Sequence, residues 1–259
     1  MTSRFDDTAL WRLDTFLVPP GSLSGGRVVV DGDEGRHAAR VVRVRPGDRV
    51  RLTDGEGSEA VGDVVEVTQG RGPSVVVGVV ESRSRSRGEG ATLVVAQAVL
   101  KGGDFGEVVR RCAELGVAAV VPVTTARVQA RAPAASRVEH WRGVARAALK
   151  QSRGVFATAV EEPRPLGAFV DALPPGAGVL VAWEEERTAG LREALRALAG
   201  TGPLVAVVGP EGGLDPAEVR ELERVGARTV SLGHRVLRAD WAAAALAAAV
   251  SLETGGLLP

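Results

Sequence analysis

Hydrophobic residues in the first 80 positions form short runs that alternate with polar residues and end at glycine turns. Arg27–Val30 ends at Asp31-Gly32, and residues 49–52 are followed by Asp54-Gly55. Runs at 61–67 and 75–80 are separated by a turn rich in glycine. Closely spaced strands with glycine turns predict a small β-barrel over residues 14–80. We expect residues 1–13 to form a poorly ordered tail and residues 81–90, where serine and arginine alternate, to form a linker.

The pattern changes after residue 90, where hydrophobic runs alternate with amphipathic stretches. Asp215-Pro216 followed by Glu218 predicts a helix start, because an aspartate cap, a proline and a glutamate three residues after the cap suit the first turn. Strands that alternate with helices are typical of a parallel α/β sheet, which we expect over residues 91–259. Strands are predicted at 93–99, 117–123, 179–183, 204–208 and 229–232, and helices at 104–115, 137–151 and 240–252.

Two glycine-containing loops follow two of these predicted strands, at 209–213 and 233–238. Open α/β sheets bind ligands at the carboxyl ends of their strands, and glycine lets a ligand approach the backbone closely. A single loop of this kind is usually an ordinary turn, but two favour a ligand site. Glu211 could orient its loop, bind a hydroxyl or interact with the following helix dipole. The predicted ligand contacts are Val208, Gly209, Pro210, Glu211, Gly212, Gly213, Leu232, Gly233, Val236 and Leu237.

Several blocks of the sequence resemble the RsmE family of the SPOUT class, RNA methyltransferases that use S-adenosylmethionine to methylate N3 of a uridine in 16S rRNA. The resemblance implies S-adenosylmethionine as cofactor, a PUA-like RNA-binding barrel, a C-terminal trefoil knot and a homodimer. The family's GPEGG corresponds to residues 209–213 and its SLG-x-R-[IV]-LR to residues 231–238. Its QA-x-x-KG corresponds to residues 97–102, its ELGV to residues 114–117, its QS-x-R neighbourhood to residues 150–153, and its N-terminal His-to-Asp block to residues 37–48.

The block after Arg238 departs from the family. Ala239-Asp240-Trp241 stands where the family usually has two threonines around a glutamate or serine, and His234 stands where it usually has proline. A paralogue that methylates another RNA or a small molecule, and a non-catalytic RNA-binding protein, are therefore alternatives to a uridine methyltransferase. A structure with cofactor bound or a methyl-transfer assay would separate them.

Arg238 and Asp240 are the catalytic candidates. Arg238 could hold a uracil carbonyl or a phosphate and stabilise charge as N3 loses its proton, or it could form a salt bridge across a subunit interface. Asp240 could accept that proton. Its position at the expected start of the last helix favours an N-cap instead.

The net charge is zero, but basic residues are concentrated in two stretches. Residues 91–153 contain 10 basic and 4 acidic side chains, and six arginines between residues 36 and 51 share that stretch with one acid. Such clusters are typical of phosphate contact, although pairing with acids elsewhere in the fold is an equal alternative. The predicted helix at 137–151 would carry one basic stripe. The RNA-binding candidates are Arg36, Arg40, Arg43, Lys101, Arg142, Arg146, Lys150 and Arg153.

The composition narrows the functional class further. One cysteine, Cys112, excludes an intrachain disulfide and a multi-cysteine zinc site. We expect no metal and no membrane association, because the histidines have no ligand spacing and no apolar run is long enough to span a bilayer. Neither the dinucleotide-binding motif G-x-G-x-x-G nor the motif G-x-x-x-x-G-K-[ST], which binds nucleoside triphosphates, occurs in the sequence. The composition predicts a cytoplasmic protein, and the family resemblance implies that it acts on ribosomal RNA or the small ribosomal subunit.

Overall fold

The computed structural model describes residues 10–87, 92–101, 105–128, 133–198 and 202–254. These residues form two compact units. The first contains residues 10–87 together with 149–157, and the second contains residues 92–148 and 158–254. The segment at 149–157 lies far along the chain from the rest of the first unit, so this membership was not predicted.

The first unit is built on a five-stranded sheet. The strands are β1 (Thr15–Leu17), β2 (Arg27–Val30), β3 (Arg49–Thr53), β4 (Ser58–Thr68) and β5 (Ser74–Ser84). They lie in the order β1-β3-β4-β5-β2, in which β1 pairs with β3 in parallel and the other neighbours are antiparallel. Two register shifts between β4 and β5 allow the long strands to bend, as a barrel-like sheet requires. Helix α1 (Gly32–Arg36) continues into a π-helical turn over His37–Val42.

Two expectations for this unit were wrong, and one element was missed. Residues 81–84 continue β5 instead of starting a linker, because Glu81 and Arg83 pair with β4. Residues 10–13 are not a loose tail, because Leu10 is buried against Val61. The expected barrel pattern also did not reveal the helical segment over residues 32–42. Residues 1–9 and 88–90, which complete the predicted tail and linker, lie outside the described residues.

The second unit contains a parallel seven-stranded sheet. The strands are β6 (Leu93–Ala98), β7 (Ala119–Thr124), β8 (Ala159–Val160), β9 (Arg164–Pro165), β10 (Gly178–Ala182), β11 (Leu204–Val208) and β12 (Arg228–Val230). They lie in the order β12-β10-β11-β6-β7-β8, with β9 also paired to β7. The core strands are almost continuous runs of valine, leucine and alanine, since helices cover both faces. The helices are α2 (Phe105–Glu114), α3 (Ala135–Ser152), α4 (Leu166–Asp171), α5 (Leu191–Ala197), α6 (Pro216–Arg224) and α7 (Ala239–Glu253). The end of α3, from residue 149 onward, belongs to the first unit.

Alanine dominates α7 because this helix packs closely on the sheet. Ala243 and Ala247 are fully buried, in one core cluster with Val95 of β6 and Val108 of α2. Residues of α4 and α6 cover the opposite face of the sheet. The predicted α/β architecture is therefore confirmed, whereas the trefoil knot stays a prediction.

Within the described residues, no helix combines the length and apolar character needed to cross a membrane. The same residues contain no group of three or more histidine, cysteine, aspartate or glutamate side chains arranged to hold a metal ion.

Candidate cofactor and substrate site

Three loops meet at the carboxyl ends of the neighbouring strands β12, β10 and β11. They enclose a cavity of about 380 Å³. The loop after β11 contributes Gly209 to Glu211 and Gly213, the loop after β12 contributes residues 231–238, and the loop after β10 contributes Trp183, Glu184 and Arg187. The structure thus brings the two predicted glycine loops together. It adds a third loop that the sequence did not identify, since strand order cannot be read from the chain.

Close backbone packing and a hydrogen bond hold the loop after β11 in place. A side-chain carbon at Gly209 would lie 3.0 Å from the Leu214 backbone nitrogen, so only glycine fits without a backbone shift. The buried Gln97 amide donates from Nε2 to the carbonyl of Gly209 at 3.1 Å. Gly213 has a φ of 72°, in the left-handed region that favours glycine. These contacts fix the backbone groups that face the cavity.

Glu211 holds the same loop through a further hydrogen bond. Its carboxylate accepts a hydrogen bond from the Lys101 backbone amide at 2.9 Å. Of the roles considered for Glu211, the structure therefore supports orientation of the loop. Gly212 lies beside Arg127 instead of lining the cavity, and Arg127 donates to the Gly212 carbonyl at 3.2 Å. Gly212 thus belongs to the predicted loop without contributing to the wall.

The loop after β12 forms the opposite wall. Gly233 has a φ of 108°, and its amide donates to the Ser231 hydroxyl at 3.3 Å, which turns the chain sharply. Leu232, Val236 and Leu237 all line the cavity. Val236 is largely exposed, so this wall is the more open one.

The loop after β10 is anchored through Glu186. Its carboxylate accepts hydrogen bonds from the backbone amides of Thr188 and Ala189 and from the hydroxyl of Thr229 on β12. The amides of Ala189 and Thr188 are the main reason that the pKa of Glu186 falls to about 2. An anionic side chain therefore ties this loop to the neighbouring strand. Nothing in the local sequence distinguished Glu186 from Glu184 or Glu185.

Asp240 does not cap the last helix, so that preference was wrong. The N-cap of α7 is Arg238, and Asp240 lies inside the first turn. The Asp240 carboxylate instead binds two arginines, with Oδ2 2.8 Å from Nη1 of Arg111 and Oδ1 3.2 Å from Nε of Arg238. Burial alone would raise the pKa of Asp240, but the hydrogen bond from Arg111 and the charges of both arginines lower it overall. A carboxylate held in this way is a weaker base.

The two residues that flank Asp240 have different surroundings. Ala239 lines the cavity, whereas Trp241 does not. The exposed Trp241 ring lies 4.3 Å from the guanidinium of Arg111. The indole that replaces a family threonine therefore stacks on Arg111 outside the cavity.

The predicted basic stripe on α3 forms local ion pairs. Arg142 lies 2.8 Å from Glu162, and Arg146 lies 3.0 Å from Glu139. The apolar side of this helix is buried as predicted, including Val138 and Trp141. The sequence showed only one acid near the stripe, because Glu162 lies on a later segment.

The other RNA-binding candidates occupy varied environments. Lys150 pairs with Glu34 at 2.5 Å, and Arg36 pairs with Asp33. Arg40 donates to the Gly70 carbonyl. The remaining candidates contact backbone carbonyls or lie exposed: Arg43 donates to Arg40, Arg153 donates to Leu10 and Leu13, and the exposed Lys101 borders the loop of Glu211. Most of these candidates thus have a partner within the protein.

Comparison with known protein families agrees with this architecture. Residues 88–251, more than half of the chain, match the RNA methyltransferase domain, and residues 30–73 match the RNA methyltransferase PUA domain. The fold and the site therefore define an RNA methyltransferase of the kind that carries an N-terminal PUA domain.

Individual relatives show which family of RNA methyltransferases the chain belongs to. The chain is 35% identical to the ribosomal RNA small subunit methyltransferase E of Mycobacterium bovis, with 89% of this chain and 88% of the relative covered. It is 27% identical to the enzyme of that name from Bacillus subtilis, with coverage of 87% and 90%. The chain belongs to the ribosomal RNA small subunit methyltransferase E family, which confirms the predicted resemblance.

A solved structure shares the fold over nearly the whole length. It is the ribosomal RNA small subunit methyltransferase E from Neisseria gonorrhoeae bound to S-adenosyl methionine, with a TM-score of 0.81 and 24% identity. The match covers 93% of this chain and 98% of that one.

Proposed function

We propose that this protein transfers a methyl group from S-adenosylmethionine to N3 of a uridine in 16S rRNA. The observation that carries the proposal is the cavity enclosed by three loops at adjacent strand ends, in a chain of this family. The cofactor supplies an electrophilic methyl group on a positively charged sulfur. The chain's own residues must bind that molecule, hold the uracil and stabilise the charge that develops on it.

The cavity suits the proposed cofactor in size and chemistry. Its volume of about 380 Å³ lies within the range of small-molecule sites. Leu100, Val208 and Leu232 supply apolar contact for an adenine ring. The carboxylates of Glu184 and Glu211 lie in the lining and complement a cationic ligand, while Arg187 and Arg235 complement its carboxylate.

Arg238 is the proposed catalytic residue at the substrate. It lines the cavity, its side chain is 70% exposed, and Asp240 holds it through Nε. Its guanidinium can donate to a uracil carbonyl, where negative charge accumulates as N3 loses its proton. Asp240 then acts by holding Arg238 and not as the base.

The test is methyl transfer to small-subunit RNA from a strain that lacks the gene, with the modified position mapped. We expect transfer to one uridine and its loss in Arg238→Ala, with cofactor affinity by calorimetry unchanged. Arg224→Ala, a change on α6 outside the cavity lining, is the control and should keep activity. Transfer to a different RNA would support the paralogue, and cofactor binding without transfer to any RNA would support the non-catalytic protein.

We also propose a cytoplasmic homodimer that uses the outer face of α7. Trp241 and Leu252 are more than half exposed on this face. Ala245, Ala248 and Ala249 lie between them at helical spacing and are only partly buried, so the face is an apolar stripe. Trp241→Glu should shift sedimentation from dimer to monomer, whereas Val225→Glu, at an exposed valine just after α6, should not. A monomeric parent protein at micromolar concentration would contradict the proposal.

A further inference from the structure

Arginines at the end of β5 share one buried carboxylate in the first unit. Arg83 lies directly opposite Glu59 across the β4–β5 pair, with its Nε 2.6 Å from Oε1 of Glu59. The Nε of Arg85 lies 3.4 Å from the same oxygen. Nη2 of Arg51, on β3, lies 2.6 Å from the other oxygen. Three guanidinium groups therefore contact the carboxylate of Glu59.

Arg51 and Glu59 form the inner ion pair of this cluster. Arg51 and Glu59 are both almost fully buried, and a buried ion pair persists only when the two charges neutralise each other. Burial is the main cause that lowers the pKa of Arg51, and the charges of Arg153 and Arg83 act in the same direction against the stabilising effect of Glu59. Arg85 lies on the outer side of the cluster, where its side chain is 50% exposed.

Arg87 lies two residues after Arg85 in the chain. Its guanidinium lies 5.0 Å from the centre of the Phe156 ring, and Nη2 donates to the Ala157 carbonyl at 3.0 Å. Phe156 is itself packed on Gly57, where a side-chain carbon would lie 2.7 Å from the ring. An exposed guanidinium is therefore held in place on an aromatic support.

We propose that Arg85 and Arg87 form a binding subsite for single-stranded RNA on the PUA-like unit. Arg85 binds a phosphate, and Arg87 stacks on an unpaired base, as fixed guanidinium planes do in RNA recognition. Glu59 and Arg83 position Arg85. Two members of the α3 stripe, Arg142 and Arg146, instead pair with carboxylates of their own. The inference rests on the proposed function, since it assumes an RNA substrate.

The experiment measures the affinity of the full-length protein for small-subunit RNA and for an oligouridine 20-mer between 50 and 200 mM salt. Arg85→Ala with Arg87→Ala should weaken binding about tenfold and lower the slope of log affinity against log salt by about 0.7 for each lost phosphate contact. Arg85→Lys with Arg87→Lys should restore much of the salt slope but not the full affinity, because lysine does not stack. Arg49→Ala, which removes an exposed bidentate pair with Asp63 on the same sheet, is the matched control and should bind like the parent.

Melting temperature and cofactor affinity, measured for every variant, should stay at the parent values. A double alanine variant with the parent's affinity and salt slope would overturn the subsite while leaving methyl transfer intact. A loss of the same size in Arg49→Ala would also overturn it, because removing a positive charge elsewhere on this sheet would then weaken RNA binding equally. A parent protein that binds neither RNA would overturn the subsite and the proposed function together.

Discussion

Replacing Asp240 by asparagine should destabilise the protein by about 2 kcal/mol, because it leaves Arg111 without its main partner. The ion pair joins α2 to α7 at 2.8 Å, and the side chains of Arg111 and Asp240 are 18% and 8% exposed. Breaking a fully buried pair costs roughly 3–5 kcal/mol. Arg111 keeps some exposure and lies 3.6 Å from Glu107, which reduces the expected cost.

Urea unfolding at pH 7 measures the effect directly. Asp240→Asn, Arg111→Ala and the double variant form a cycle in which the coupling energy should be about 1 kcal/mol. Arg110→Ala is the matched control, because Arg110 pairs with Glu107 and Glu114 on the surface of the same helix and should cost less than about 0.5 kcal/mol. An Asp240→Asn protein as stable as the parent, or a coupling energy of zero, would refute the reasoning.

The pH dependence has a defined sign. The folded pKa of Asp240 is lowered, so its contribution is fully present above the unfolded pKa of about 3.9 and is lost as the pH falls through the folded value. The stability difference between parent and Asp240→Asn should therefore shrink below about pH 4.

The same variant should lose no more than about tenfold in kcat, whereas loss of a general base costs roughly 10²–10⁴. A loss in the larger range with cofactor binding intact would restore Asp240 as the base.

Three further predictions concern the loops and the core. Gly209→Ala should weaken cofactor binding about tenfold, or ~1.4 kcal/mol, because the new carbon meets the Leu214 backbone; calorimetry tests this, and unchanged affinity would contradict it. Glu186→Gln should loosen the loop after β10 and weaken cofactor binding at neutral pH, whereas the parent should keep its affinity down to about pH 4, since the pKa of Glu186 is about 2. Cys112, whose pKa burial raises to about 12, should resist thiol reagents until the protein unfolds; rapid labelling of native protein would show that α2 opens.

The strands and glycine loops of the second unit could be predicted because each leaves a strong local pattern. Strand β11 has the predicted bounds, and α7 differs from its prediction by one residue at each end. Buried parallel strands are continuous apolar runs, and a cap followed by proline marks the start of α6, where Asp215 and Glu218 form the expected capping box.

The ion-pair partners could not be predicted, because they lie far apart in sequence. Arg142 and Glu162 are 20 residues apart, Lys150 and Glu34 are 116 apart, and Arg111 and Asp240 are 129 apart. Each pairing depends on the strand order and the packing of helices. The basic clusters therefore predicted the sign of the local charge but not which arginines would remain exposed.

The continuation of β5 to Ser84 could not be predicted either, because it also depends on a partner that is distant in sequence. Alternating serine and arginine is typical of a linker when considered alone, but Glu59 on β4 provides the partner that keeps Arg83 in the sheet. A polar strand of this kind leaves no hydrophobic pattern to recognise.

The central claim is that the three-loop cavity binds S-adenosylmethionine and serves methylation of ribosomal RNA. The most direct measurement is the incorporation of labelled methyl groups from S-adenosylmethionine into small-subunit RNA from a strain that lacks the gene, followed by mapping of the product. The account predicts stoichiometric methylation at N3 of a single uridine, which is lost in Arg238→Ala. The absence of label in RNA that the protein binds, with cofactor bound, would contradict it.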